Sequence, residues 1–130
     1  NVAKLANQIF VASNIAAVAE ALTFATKAGA DPELVYQAIR GGLAGSTDMD
    51  AKAPMMMDRN FKPGFRIELH IKDLNNALNA AHAISSPVPI TAQMMEIMQA
   101  VKADGHEKED HSGMLHYYEK IANVTVEHKK

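Results

Sequence analysis

The chain has 130 residues, a formal net charge of −2 and a pI near 6.3, enough for one domain with a real core and no basic surplus for nucleic acid or an anionic membrane. It has no cysteine, which removes disulfides, thiolate metal sites and cysteine nucleophiles and is compatible with a reducing, cytoplasmic setting. Hydrophobic residues make up 48%, with eight Met and no Trp, the composition of closely packed helices rather than of β-branched and aromatic strands.

Val2 to Ala28 contains no Pro or Gly, so a helix of about 40 Å is expected at 1.5 Å per residue. It is apolar on most faces, which places it inside a protein or an assembly. Lys4, Asn7, Gln8, Ser13, Asn14 and Glu20 interrupt it too often for a membrane span, and the basic start of a signal peptide is missing. The chain opens on Asn1 with a helix signal that lacks a cap, which reads as a cut at a domain boundary. Gly29 is suited to the helix C-terminus, and Asp31-Pro32-Glu33 starts a short helix with Leu34, Val35 and Ile39 inward. Gly41-Gly42 ends it. Ser46 or Asp48 caps the next helix, expected to bend or break near Pro54. Asn60–Gly64 is a turn-rich loop. Ile67 to Ala83 is helical, with Ile67, Ile71, Leu74 and Leu78 at helical spacing. A Ser-Ser-Pro-Val-Pro loop follows, then a helix from Ile90 to Asp104 stopped by Gly105. Asp110 or Ser112 caps a last helix to about Ala122, and the tail from Asn123 frays. The expected fold is all-α, with six or seven helices, one of them unusually long. That helix has more apolar surface than its neighbours can cover, so a homo-oligomer formed through it is expected.

An ammonium on such an apolar helix needs a partner, a wet cleft or a job. Lys4, Asn7 and Gln8 share one face and can converge on a small polar object; a lysine that snorkels at a helix start has the same pattern. Gly41-Gly42-x-x-Gly45 is not a dinucleotide fingerprint, since its spacing is wrong and no strand precedes it; it reads as a tight turn near the cleft, with Ser46 a possible substrate neighbour. His106 to His111 gathers metal-ligand types, but histidines five apart in a polar loop lack the spacing of a zinc helix, and the segment reads as solvated, with no metal. His70, His82 and His116 read as surface or satisfied helix residues, and the methionines at 55–57, 94, 95 and 98 as core or interface filler.

Lys-Leu-Ala-Asn-Gln at 4–8, Gly-Gly-Leu-Ala-Gly-Ser at 41–46, Phe-Lys-Pro-Gly-Phe-Arg-Ile at 61–67 and Ile-Lys-Asp-Leu at 71–74 follow a distinctive order and spacing. By these segments the chain resembles, from Asn1 to about Glu119, the helical C-terminal domain of the β-hydroxyacid dehydrogenase family, the 6-phosphogluconate dehydrogenase C-terminal-like fold. The resemblance implies a substrate-binding and dimerising domain over residues 1–130, whose nucleotide-binding Rossmann partner, with its glycine-rich turn, precedes Asn1. It implies a reaction between a small 3-oxo or 3-hydroxy acid and NAD(H) or NADP(H), the latter bound mainly by that other domain. Lys4 matches the family's proton donor to the carbonyl oxygen. Asn7 and Gln8 would hold the substrate's carboxylate or hydroxyl; many relatives carry Asn-Asn here, so Gln8 bears on substrate choice. Lys72 matches the lysine that approaches the cofactor, and Asp73 and Phe65 match substrate-pocket residues. A solvated Lys72–Asp73 pair and a Phe65 that is simply core are the alternatives that the residues themselves leave open.

Overall fold

The computed structural model describes residues 1–129. Among them are six α-helices, one 3-10 turn and no β-strand: α1 Val2–Lys27, α2 Pro32–Ile39, α3 Thr47–Asp58, α4 Ile67–Ala83, α5 Pro89–Ala103, the 3-10 turn His111–Met114 and α6 Leu115–Ala122. The all-α expectation and the long first helix hold.

Helix α1 is the axis of the molecule. Its middle and end carry Ala12, Ala16 and Ala19, small enough to let neighbouring helices approach, with Ile15 and Leu22 as the bulky contacts. Around them Met56 and Met57 of α3, Leu74 of α4, Met98 and Val101 of α5, and Met114 and Leu115 close a single core. Methionine suits this task because its unbranched chain fills irregular gaps between helices. By length and composition α1 also passes as a bilayer-crossing helix, but in this fold its second half is the core element against which the other helices pack. Its first turns are different. Val2, Lys4, Asn7 and Phe10 are exposed, so α1 enters the domain from outside it.

Local signals set most of the boundaries. Asn1 caps α1, its side chain accepting from the backbone N–H of Ala3 and Lys4. Ala28 is the C-cap and Gly29 follows at φ +88°, a conformation in which a side chain would be strained. Asp31 accepts from Glu33 N and Pro32 takes the first helical position of α2. Ser46, not Asp48, caps α3, which runs through Pro54 without a break. Gly45 is required by close approach: a Cβ there would lie 1.9 Å from the Arg40 carbonyl oxygen.

Three expectations fail, each through a tertiary contact. Leu34 is exposed, and Pro32 and Tyr36 are the buried residues of α2, the Tyr36 hydroxyl donating to Asp50 at 2.6 Å. Through residue 129 the tail beyond α6 is tied down and not frayed, residue 130 lying outside the described residues. Val126 is fully buried, its N–H donates to Glu119 at 2.7 Å, and Arg59 grips both the Glu119 carboxylate and the Val126 carbonyl. The 106–111 segment is not a solvated loop either. Its Glu109 and Glu107 carbonyls accept from the N–H groups of Ile67 and Glu68, capping α4, which has no side-chain cap of its own.

Candidate active site

Two loops, 60–66 and 106–111, are locked together and set one wall of the site. Asp110 N donates to the Phe61 carbonyl and His111 N to the Phe65 carbonyl. The Asp110 carboxylate, fully buried, accepts from Gly64 N and Phe65 N, each at 3.0 Å, from Ser112 N, and from the Lys52 ammonium at 3.1 Å. Burial alone would raise its pKa, but these donors hold it at about 2, so it is ionised at any ordinary pH. Phe65 is thereby fixed with its ring against two buried histidines, 5.6 Å from His70 and 5.4 Å from His111 between centroids.

Beside this wall, the first part of α1 is laid against α4. Gln8 Nε2 donates to Asp73 Oδ2 at 2.8 Å, and Asn7 Nδ2 donates to Gln8 Oε1 at 3.0 Å. One helical turn earlier on the same helix, Lys4 is exposed. Asp73 and His70 are three apart on α4 and both meet α1: His70 Nε2 lies 3.2 Å from the Gln8 carbonyl. Gln8 is therefore held at its backbone and its side chain by the same helix.

Hydrogen-bond chemistry assigns the tautomers beneath it. A carbonyl only accepts, so His70 Nε2 carries a proton toward Gln8. Burial lowers the His70 pKa, leaving the ring neutral with Nδ1 an acceptor. His111 Nδ1, 2.9 Å away, is then the donor of that contact. Burial, reinforced by the Lys52 charge, pushes His111 down to about 3, so it too is neutral.

The sequence-expected residues thus divide. Asn7, Gln8 and Asp73 form one hydrogen-bonded row, with Lys4 a turn away on α1, and Phe65 joins it through the His70–His111 pair. Lys72 stands apart. It is exposed in the groove between α4 and α5, beside Glu68, Asn75, Met95 and Gln99. Ser46 is in a cavity of about 170 Å³ among α1, α2 and α3, with Ala17, Tyr36 and Met49, and its hydroxyl caps α3. His70, read as a satisfied helix residue, is that and more, since it ties Gln8 in place. The part played by His111 and Asp110 was missed. The one available signal was the three-residue spacing of His70 and Asp73, which puts both on one face of α4.

The described residues thus form an all-α domain with a row of amides and a carboxylate one helical turn from an exposed lysine. A family model described as "NAD-binding of NADP-dependent 3-hydroxyisobutyrate dehydrogenase" matches residues 1–118. The chain belongs to this family, the β-hydroxyacid dehydrogenases. It is 48% identical to 2-hydroxy-3-oxopropionate reductase of Escherichia coli over 92% of this chain and 41% of that protein. It is 34% identical to a probable 3-hydroxyisobutyrate dehydrogenase-like protein of Arabidopsis thaliana, over 96% of this chain and 37% of that protein. The fold is that of 3-hydroxyisobutyrate dehydrogenase from Salmonella typhimurium, with a TM-score of 0.84 at 23% identity, covering 88% of this chain and 40% of that one. The chain thus spans about two fifths of the proteins it matches.

Proposed function

We propose that this chain is the catalytic and dimerising half of an NAD(P)H-dependent reductase that converts tartronate semialdehyde (2-hydroxy-3-oxopropanoate) to D-glycerate. The observation that carries the reading is the Asn7–Gln8–Asp73 row, held against α4, with the exposed Lys4 one turn away. Its support from relatives is the 48% identity to the Escherichia coli reductase. By this reading the nucleotide-binding domain of the whole protein precedes Asn1, and the setting is cytoplasmic. The 130 residues alone then turn over nothing measurable, since no strand–glycine turn–helix unit occurs among the described residues.

A nicotinamide cofactor, when bound, supplies the hydride. By this reading Lys72, in its separate groove, would offer a cation to the cofactor's anionic part, and the half-buried Phe65 an apolar surface. As the carbonyl carbon is reduced, negative charge grows on its oxygen. The Lys4 ammonium polarises that oxygen and gives it a proton, leaving a neutral amine that regains its proton from water. Asn7 and Gln8 donate to the substrate's carboxylate and hydroxyl, and Asp73 orients the Gln8 amide. General-acid catalysis of this kind is worth roughly 10²–10⁴-fold.

The test is reduction of tartronate semialdehyde by the full-length protein and its Lys4→Ala variant. A fall in kcat of that order, with the circular dichroism unchanged, is expected. Full activity in the variant would remove Lys4 from the chemistry and leave either another proton donor or a chain that is a non-catalytic helical association module, for which the exposed Val2, Phe10 and Phe24 of α1 are the specific observation. Phe10 and Phe24 flank Ala17 at spacings of seven on that helix, and we place the homodimer contact on this stripe. The second enzymatic reading is a 3-hydroxyisobutyrate dehydrogenase, favoured by the family model's description. Faster oxidation of 3-hydroxyisobutyrate than of D-glycerate would select it.

A further inference from the structure

Away from the row of amides, the folded-back 106–111 loop meets the start of α6 in a half-buried cluster. His106 Nδ1 and His116 Nε2 both contact the carboxylate of Glu109, the latter at 2.8 Å, and the ligand atoms of the three residues all lie within 4.8 Å of one another. The sequence spacing hid this, because the meaningful pair is His106 and His116, ten apart, not His106 and His111. We propose that His106, Glu109 and His116 form a site for a borderline divalent transition ion, with Zn²⁺ the natural occupant for a donor set of two imidazoles and one carboxylate.

What distinguishes the cluster from an ordinary surface ion pair is the shell around it. The far nitrogen of His116, Nδ1, faces Glu119 Oε1 at 3.8 Å. Glu119 is itself buried and held by two bonds from Arg59, at 2.7 and 3.1 Å. At 3.8 Å it does not hydrogen-bond the ring, but its negative charge favours a proton on Nδ1, which leaves Nε2 free for an ion. Phe61 packs on the His116 ring at 4.6 Å between centroids, which orients it further. His116 is thus the preorganised ligand and His106, on the turn, the adaptable one.

Without an ion, Glu109 accepts a hydrogen bond from each imidazole; burial acts to raise its pKa, but the two imidazoles lower it on balance. Entry of the ion needs no net loss of protons: His116 moves its proton to Nδ1, toward Glu119, and His106 moves its proton to Nε2, toward solvent. Tetrahedral ligand atoms at about 2.1 Å from one zinc ion lie roughly 3.4 Å apart. Separations within 4.8 Å therefore close by up to roughly 1.4 Å, once His106 tilts out of its 3.9 Å stack on His116. The remaining coordination positions are open to water.

The experiment uses the untagged full-length protein freed of metal, titrated with Co²⁺ and followed by its visible absorption, then with Zn²⁺ in competition. One saturable equivalent displaced by Zn²⁺ is expected. His106→Asn, on the turn and safe for folding, is expected to weaken binding at least tenfold, and His116→Asn likewise. Glu119→Gln, which touches no ion, is expected to weaken it 10–100-fold by releasing the His116 tautomer. No saturable equivalent overturns the proposal. So does binding that survives His106→Asn and His116→Asn but is lost in His82→Asn or His128→Asn, the exposed histidines.

Discussion

Replacing His111 with Asn tests the assignment of a neutral, buried histidine pair beneath Gln8. Asparagine Nδ2 can take the place of the donating Nδ1, so the contact to His70 survives while the titration disappears. In the wild type the folded-state pKa is about 3 against 6.5 unfolded, so the unfolded chain binds the extra proton between these values. Stability from this group is then fully present above pH 6.5 and falls as the pH drops toward 3. At about 1.4 kcal/mol per pH unit, the loss between pH 8 and pH 5 is about 2 kcal/mol. His70, lowered by burial too, adds a loss of the same sign. Asp48 works the other way: burial raises it from 3.8 to about 6, so the folded state holds its proton first. Over the same interval that offsets about 1.4 kcal/mol, so the wild type's own pH dependence is shallow. Asp110, held at about 2, stays ionised throughout, so it does not change the charge that His111 faces. Urea unfolding of both proteins at pH 8 and pH 5 isolates the histidine. The wild type is expected to lose about 2 kcal/mol more than His111→Asn on acidification. Equal losses would mean that His111 is solvated or charged in the folded state, and the tautomer assignment would fall.

Two further perturbations probe the frame around the site. Arg59→Ala removes the grip on Glu119 and on the Val126 carbonyl; breaking a buried pair costs ~3–5 kcal/mol, and the part exposure of Arg59, at 31%, reduces this to about 2 kcal/mol. Limited proteolysis should then cut beyond Asn123, and a tail that stays protected would refute the clasp. Gly45→Ala forces the Arg40 carbonyl aside and is expected to cost about 1–3 kcal/mol, read as a lower thermal midpoint; an unchanged midpoint would contradict the turn geometry.

Much of this molecule was legible in short stretches of chain. The length of α1, the limits of α4, the Asp31-Pro32 start of α2 and the turn at Gly29 follow from interactions within a few residues, which helical periodicity and caps encode directly. Asn7 and Gln8 were visible as one polar face of α1 for the same reason, and so was their nearness to Lys4. What the sequence could not determine is set by contacts between residues 40 to 70 positions apart. Gln8 reaches Asp73, His70 meets His111, Asp110 gathers the 64–65 backbone, and Arg59 clasps Val126. Each joins groups whose local patterns are unremarkable: a histidine in a helix, a polar loop, a charged tail. Their burial is decided by which helix faces meet around α1, and burial in turn settles protonation and tautomer. The sequence by itself determined the helices and the polar face of α1; the tertiary structure alone decided what holds that face still, because desolvation and paired hydrogen bonds exist only once distant segments have packed.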